Sequence, residues 1–91
     1  MIKIPQTPLF KRQYKKLKSK QVAILVIEIK NIVDDPNLGE EKKGDLKGVF
    51  IHKFRVDKNL ILLAYTWDAK TRNLLMLGTH ENFYRDLKKY R

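Results

Sequence analysis

Apolar residues recur along this chain with two different periods. "IKI" at 2–4 alternates before Pro5 stops it, the mark of a short strand. Thr7 then precedes Pro8, a pairing that starts helices because proline has no N–H to leave unpaired in the first turn. Phe10, Tyr14 and Leu17 follow at i, i+4 and i+7, one face of a helix. Ser19 is placed to cap a second helix, along which Val22, Leu25, Val26, Ile29, Ile32 and Val33 repeat at helical spacing. The segment "VAILVIEI" is β-branched and would suit a strand, but a periodic span of about 14 residues is too long for one and predicts a helix. Pro36 in "DDPNLG" ends it, since proline disfavours helix in the residue before it. The two helices form an expected antiparallel hairpin laid on a sheet.

Beyond a polar loop with two glycines, "EEKKGDLKG", the period changes. Three strands are predicted: "VFIHKFRV" over 49–56, "LILLAYTW" over 60–67 and "NLLML" over 73–77. Asp57-Lys58-Asn59 and "DAKTR" are tight turns, so the strands form an antiparallel meander. The middle strand is apolar on both faces and is therefore central and covered on both sides. The hairpin covers one face. A last helix over roughly 81–89, with Phe83, Leu87 and Tyr90 at i, i+4 and i+7, helps cover the other. The fold class is α+β: a small antiparallel-rich sheet with an N-terminal helix hairpin on one face and a short C-terminal helix.

Composition adds limits. Ninety-one residues, 43% of them hydrophobic, suit a single domain over 1–91 with one small core, and no repeat or linker divides it. There is no cysteine, hence no disulfide and no thiolate metal site, which suits a reducing cytoplasm. The start "MIKIPQTPLF" lacks a signal-peptide core, and no apolar stretch approaches the roughly 18 residues of a membrane span, so no membrane partner is expected. Twenty Lys and Arg against ten Asp and Glu give a charge of +10, which favours polyanionic partners. Lys11, Arg12, Lys15, Lys16 and Lys18 occupy the first helix and its end without one acid. They form either a solvated face or a surface for RNA and ribosome, and five unrelieved cations repel one another unless an anion meets them.

Strand parity sorts the candidate chemistry. Lys53 and Arg55 point the same way as Ile51 and can straddle a phosphate; His52 points the other way with Phe50 and Phe54 and reads as a packed histidine. His80 follows Gly78 at the end of the last strand. It either starts the C-terminal helix or carries a proton at neutral pH. Tyr84 lies one turn on, about 100° off the Phe83–Leu87–Tyr90 stripe, as core residue or as a base-stacking ring. No HExxH, phosphate-cradling glycine loop or nucleophile elbow is present, and two distant histidines without cysteine make a poor zinc set.

These segments, in this order, resemble the RelE/ParE superfamily of type II toxin–antitoxin toxins over nearly the whole length. The resemblance is carried by a strand, a basic helix hairpin, then "GDLKGVFIHKFRV", "NLILLAYTWD" and "LLMLGTHENFYRDLK". The Gly-Thr-His ending with an aromatic after it is most similar to the YafQ-type branch of RelE. The resemblance implies a RelE-like fold and an endoribonuclease that cuts messenger RNA in the ribosomal A site, inhibiting translation. It implies no metal or other cofactor, with the 2′-hydroxyl attacking the adjacent phosphate. It places Lys53 and Arg55 among the family's charge-stabilising groups, His80 as proton carrier and Tyr84 as the downstream aromatic. It also implies a cognate antitoxin, an acidic and partly disordered segment wrapping the apolar and basic sheet face beside the last helix. Two features depart from RelE proper: Leu62 or its neighbours stand where the third strand often has arginine, and Leu75, Met76 and Leu77 precede Gly78 without one. The alternatives within the superfamily are a ParE-like inhibitor of DNA gyrase and a relic that only binds its antitoxin.

Overall fold

The computed structural model describes residues 1–79 and 83–90, with Tyr90 described by its backbone alone. Helices α1 (Pro8–Lys15) and α2 (Ser19–Asp34) form the hairpin; strands β1 (Glu40–Glu41), β2 (Phe50–Val56), β3 (Asn59–Asp68) and β4 (Thr71–Thr79) form one antiparallel sheet in that order; α3 is Phe83–Tyr90.

Local chemistry explains the boundaries. Thr7 caps α1, its Oγ1 accepting from Phe10 N–H at 3.0 Å while donating to the Leu75 carbonyl at 2.6 Å. That one hydroxyl ties the first helix to the sheet. Leu17 lies beyond the end of α1 yet still packs on the core beneath the hairpin. Ser19 is the first residue of α2 and not its cap: Lys18 holds that place, and Gln21 Oε1 reaches back to Lys18 N–H at 2.9 Å. The segment 2–4 does not form a strand of its own. Lys3 and Gln6 make isolated parallel bridges to Thr71 and Leu74, covering the outer edge of β4. Pro5, with no N–H, contributes only its carbonyl, to Leu74 N–H at 2.9 Å.

The expected polar loop holds more order than its composition suggests. It contains β1 and a tight turn over Gly44–Leu46, with Gly44 at φ 68° and Gly48 at φ 88°, values that favour glycine. The turn drives Leu46 into the core. Because β1 is two residues long, it pairs only with Phe50 and Ile51, and beyond Ile51 the outer edge of β2 has no strand partner among the described residues.

Alternation splits β3 between two cores. Ile61, Leu63 and Tyr65 meet Phe10, Leu25 and Ile32 under the hairpin. Leu62 and Ala64 face the other way and meet Leu46, Phe83 and Leu87. A bulge in β4 makes Leu75 an extra residue between the pairs Ala64–Met76 and Tyr65–Leu74. Leu75 and Met76 thus join one core while Leu74 and Leu77 join the other.

Two polar side chains lock the end of α2 to the sheet. Buried Arg72 donates to the carbonyls of Val33 at 3.0 Å and Asp68 at 2.6 Å, with longer contacts to Thr71 and Ile32, setting a cation at the negative end of the helix. Tyr65 Oη donates to Pro36 O at 2.7 Å and accepts from Gly39 N–H at 2.9 Å; a Cβ on Gly39 would lie 2.6 Å from that oxygen, so only glycine fits. Burial pushes the Tyr65 hydroxyl above its ordinary pKa, against the Gly39 hydrogen bond. No helix among the described residues is long and apolar enough to cross a membrane.

Candidate functional site

The site is set by which face of β2 each residue occupies. Ile51 is buried in the core beneath α3, and Lys53 and Arg55 continue along the same face into solvent. Backbone i, i+2 neighbours on a strand lie about 6–7 Å apart, so the two cations stand side by side. Register extends the row: Lys53 pairs with Leu62, and Leu62 with Gly78. Two strand spacings, about 10 Å, therefore separate the backbones of Lys53 and Gly78. Gly78 is glycine because Phe83 lies on it; a Cβ there would sit 2.9 Å from the Phe83 ring.

α3 brings the aromatic to this face. Phe83 is buried and Tyr84 half-buried, their rings edge-on with centroids 5.6 Å apart, as the stripe offset predicts. Lys42 Nζ stands 5.0 Å from the Tyr84 ring centroid and 2.6 Å from Glu40 Oε1. The Glu40 hydrogen bond is the main reason the Lys42 ammonium holds its proton above the ordinary lysine value; Tyr84 adds to it. In return the Lys42 hydrogen bond and charge hold the Glu40 carboxyl below its usual range, and Lys53 contributes a smaller pull in the same direction. The face thus carries Lys53, Arg55, Lys42 and Tyr84, with an exposed acid, Glu40, among them.

Glu40 and Lys42 escape the sequence reading. The available signal is "EEK", an acid and a cation two residues apart in an extended segment, which places both on one side. His80, the expected proton carrier, lies outside the described residues. So does the side chain of Tyr90, the third member of the predicted α3 stripe.

Other expectations fall elsewhere. His52 is packed, as parity predicts: its Nε2 lies 2.6 Å from Glu28 Oε1 of α2, and its ring stacks on Phe54. Lys11, Arg12, Lys15, Lys16 and Lys18 are all exposed, and among the described residues none is ion-paired. They belong to the hairpin, which covers the sheet face opposite Lys53 and Arg55, so the two cationic sets are not one patch. The face beside α3 also differs from the apolar and basic surface expected there. Leu46, Phe83 and Leu87 bury its apolar residues, leaving the half-buried Leu60 next to the two cations.

Comparison with known proteins gives the same fold. The sequence model of the ParE-like toxin of type II bacterial toxin–antitoxin systems matches residues 4–88. No curated protein sequence matches the chain. Among solved structures, it is similar to the RelBE2 toxin–antitoxin complex of Mycobacterium tuberculosis (19% identity, TM-score 0.74, 87% of this chain and 98% of that one). It is similar to a mutant of Escherichia coli RelE in the free state (16%, 0.75, 96% and 92%). A YoeB/ParE toxin from Agrobacterium tumefaciens is a further match (18%, 0.66, 87% and 99%).

Proposed function

Because the chain belongs to the ParE-like toxin family of type II bacterial toxin–antitoxin systems, we propose that it halts translation by cutting messenger RNA on the ribosome. The observation that carries this reading is the pair Lys53 and Arg55, exposed side by side on the sheet face that also holds Tyr84. In the reaction, the 2′-hydroxyl loses its proton and attacks the adjacent phosphorus. The bond to the 5′-oxygen breaks, that oxygen takes a proton, and a cyclic phosphate and a 5′-hydroxyl remain. Charge grows on the phosphate oxygens, where the Lys53 ammonium and the Arg55 guanidinium stabilise it. His80, two residues after Gly78, moves the proton. Tyr84, steadied by Lys42, stacks on a base. The hairpin cations Lys11, Arg12, Lys15, Lys16 and Lys18 meet ribosomal RNA from the other side of the molecule. An acidic, partly disordered antitoxin segment neutralises the cations when the toxin is held inactive.

A second reading, inhibition of DNA gyrase, is favoured by one observation: Leu62, fully buried, fills the β3 position next to Lys53 where RelE proper often has arginine. Induced expression with mapping of message 5′-ends, with and without active translation, separates the two. Translation-dependent cuts that vanish in His80→Ala support the ribonuclease. Intact messages with gyrase-dependent DNA breaks replace it with the second reading.

A further inference from the structure

The closed end of the hairpin holds a recess on the sheet face opposite Lys53 and Arg55. It measures ≈ 470 Å³ and lies where the α1–α2 connection meets the ends of β3 and β4. Leu17, Ile61 and Leu77 give it an apolar floor, and Gln13, Lys16 and Gln21 stand around it. Thr79, the residue before His80, forms part of the wall.

Both glutamines are fixed at one end. Gln13 Oε1 accepts from Leu77 N–H at 2.7 Å, and Gln21 Oε1 accepts from Lys18 N–H at 2.9 Å. Only the oxygen of a side-chain amide can meet a backbone N–H, so each glutamine keeps both N–H groups of its –NH₂ for another partner. Among the described residues neither –NH₂ has one. Lys16 is exposed and not ion-paired there, and it adds a further donor. As held, each of these three groups turns a donor toward a ligand; Asn59 and Thr79, also on the rim, can donate or accept.

A flat ligand with an edge of acceptors fits this set. Along the edge that faces the major groove of a duplex, guanine alone offers two adjacent acceptors, O6 and N7, and no donor; adenine and cytosine show an amino donor there and uracil a single acceptor. Unpaired strands expose that edge. We propose that this recess is a base pocket that takes a guanine of single-stranded RNA, its ring on Leu17, Ile61 and Leu77 and its O6/N7 edge on Gln13 and Gln21. The strand would pass around the end of the sheet, by Thr79, to the cations of the other face. The source of that strand rests on the ribonuclease reading; the pocket's chemistry does not.

Side-chain amide resonances of the ¹⁵N-labelled protein report the pocket directly. Guanosine monophosphate should shift the Gln13 and Gln21 –NH₂ signals saturably, with affinity at least about tenfold above that of the adenosine, cytidine and uridine monophosphates. Gln21→Glu keeps an acceptor for Lys18 N–H but removes the donor, and should weaken guanosine monophosphate at least about tenfold. If that variant does not fold, Lys16→Met, which removes a donor at an exposed position, should weaken binding in the same direction. Silent glutamines overturn the proposal. So does an equal response to all four nucleotides and to inorganic phosphate, the behaviour of a plain anion site. A stronger response to a glutamate-rich peptide overturns it in favour of a protein partner. No cleavage is needed for the readout. A chain that binds guanosine monophosphate through both glutamines and cuts no RNA keeps the pocket and loses the ribonuclease; a chain that cuts while the glutamines stay silent does the reverse.

Discussion

Under the hairpin, β3 sends Ile61, Leu63 and Tyr65 into a core closed by Phe10, Leu25 and Ile32, with Thr7, Arg72 and Tyr65 bonding the helices to the sheet. On the other face the same strand sends Leu62 and Ala64 under a smaller cover of Leu46, Phe83 and Leu87, and the row ends in open cations. Cover is broader where the fold is held and stops short where Lys53 and Arg55 stand. The two faces should therefore respond differently to substitution: one through stability, the other through activity.

The largest effect belongs to the hairpin face. Leu63 is fully buried, and Leu63→Ala should cost about 2–5 kcal/mol, a fall of roughly 10 °C or more in Tm by calorimetry. The open face gives the complementary result. Lys53→Ala with Arg55→Ala should lower message cleavage about 10²–10³-fold while the change in stability stays within about 0.5 kcal/mol; a large fall in Tm with unchanged cleavage would erase the contrast. Gly78→Ala tests the seam between the faces. Its Cβ meets the Phe83 ring at 2.9 Å, so the ring must shift, at about 1–3 kcal/mol, and near-ultraviolet dichroism should report the disturbed aromatic pair. The smallest effect is on pH. Tyr65 has its pKa raised by burial, so above its ordinary value of 10.0 the unfolded chain releases a proton the folded chain keeps, and stability falls as pH rises from there toward the folded value. Denaturant midpoints at about pH 9 and pH 11 should show that slope, and Tyr65→Phe should flatten it.

The elements were readable because their signals are local. "LILLAYTW" has no polar face, so it had to be a central strand, and "VAILVIEI" was too long in period to be one. What escaped depends on partners distant in sequence. Arg72 reads as the last residue of the "DAKTR" turn, a place for a solvated cation, until the α2 carbonyls arrive above it. The bulge at Leu75 reverses parity halfway along β4, which an unbroken apolar run hides. Leu46 did leave a trace, a lone leucine between two glycines in a polar stretch. At the site, parity sorted Lys53 and Arg55 from His52, but the Glu40–Lys42 pair needed β1, a strand too short for a sequence pattern to announce.

The brevity of β1 has a consequence for how this molecule keeps company. Among the described residues it leaves a margin of β2 without a strand partner from His52 to Val56, and such margins tend to zip onto copies of themselves. Here every other rung on that margin ends in a lysine or an arginine, so two identical chains approaching sideways would set like charge against like. The fold can leave its sheet unfinished at that border because the residues there repel their own kind.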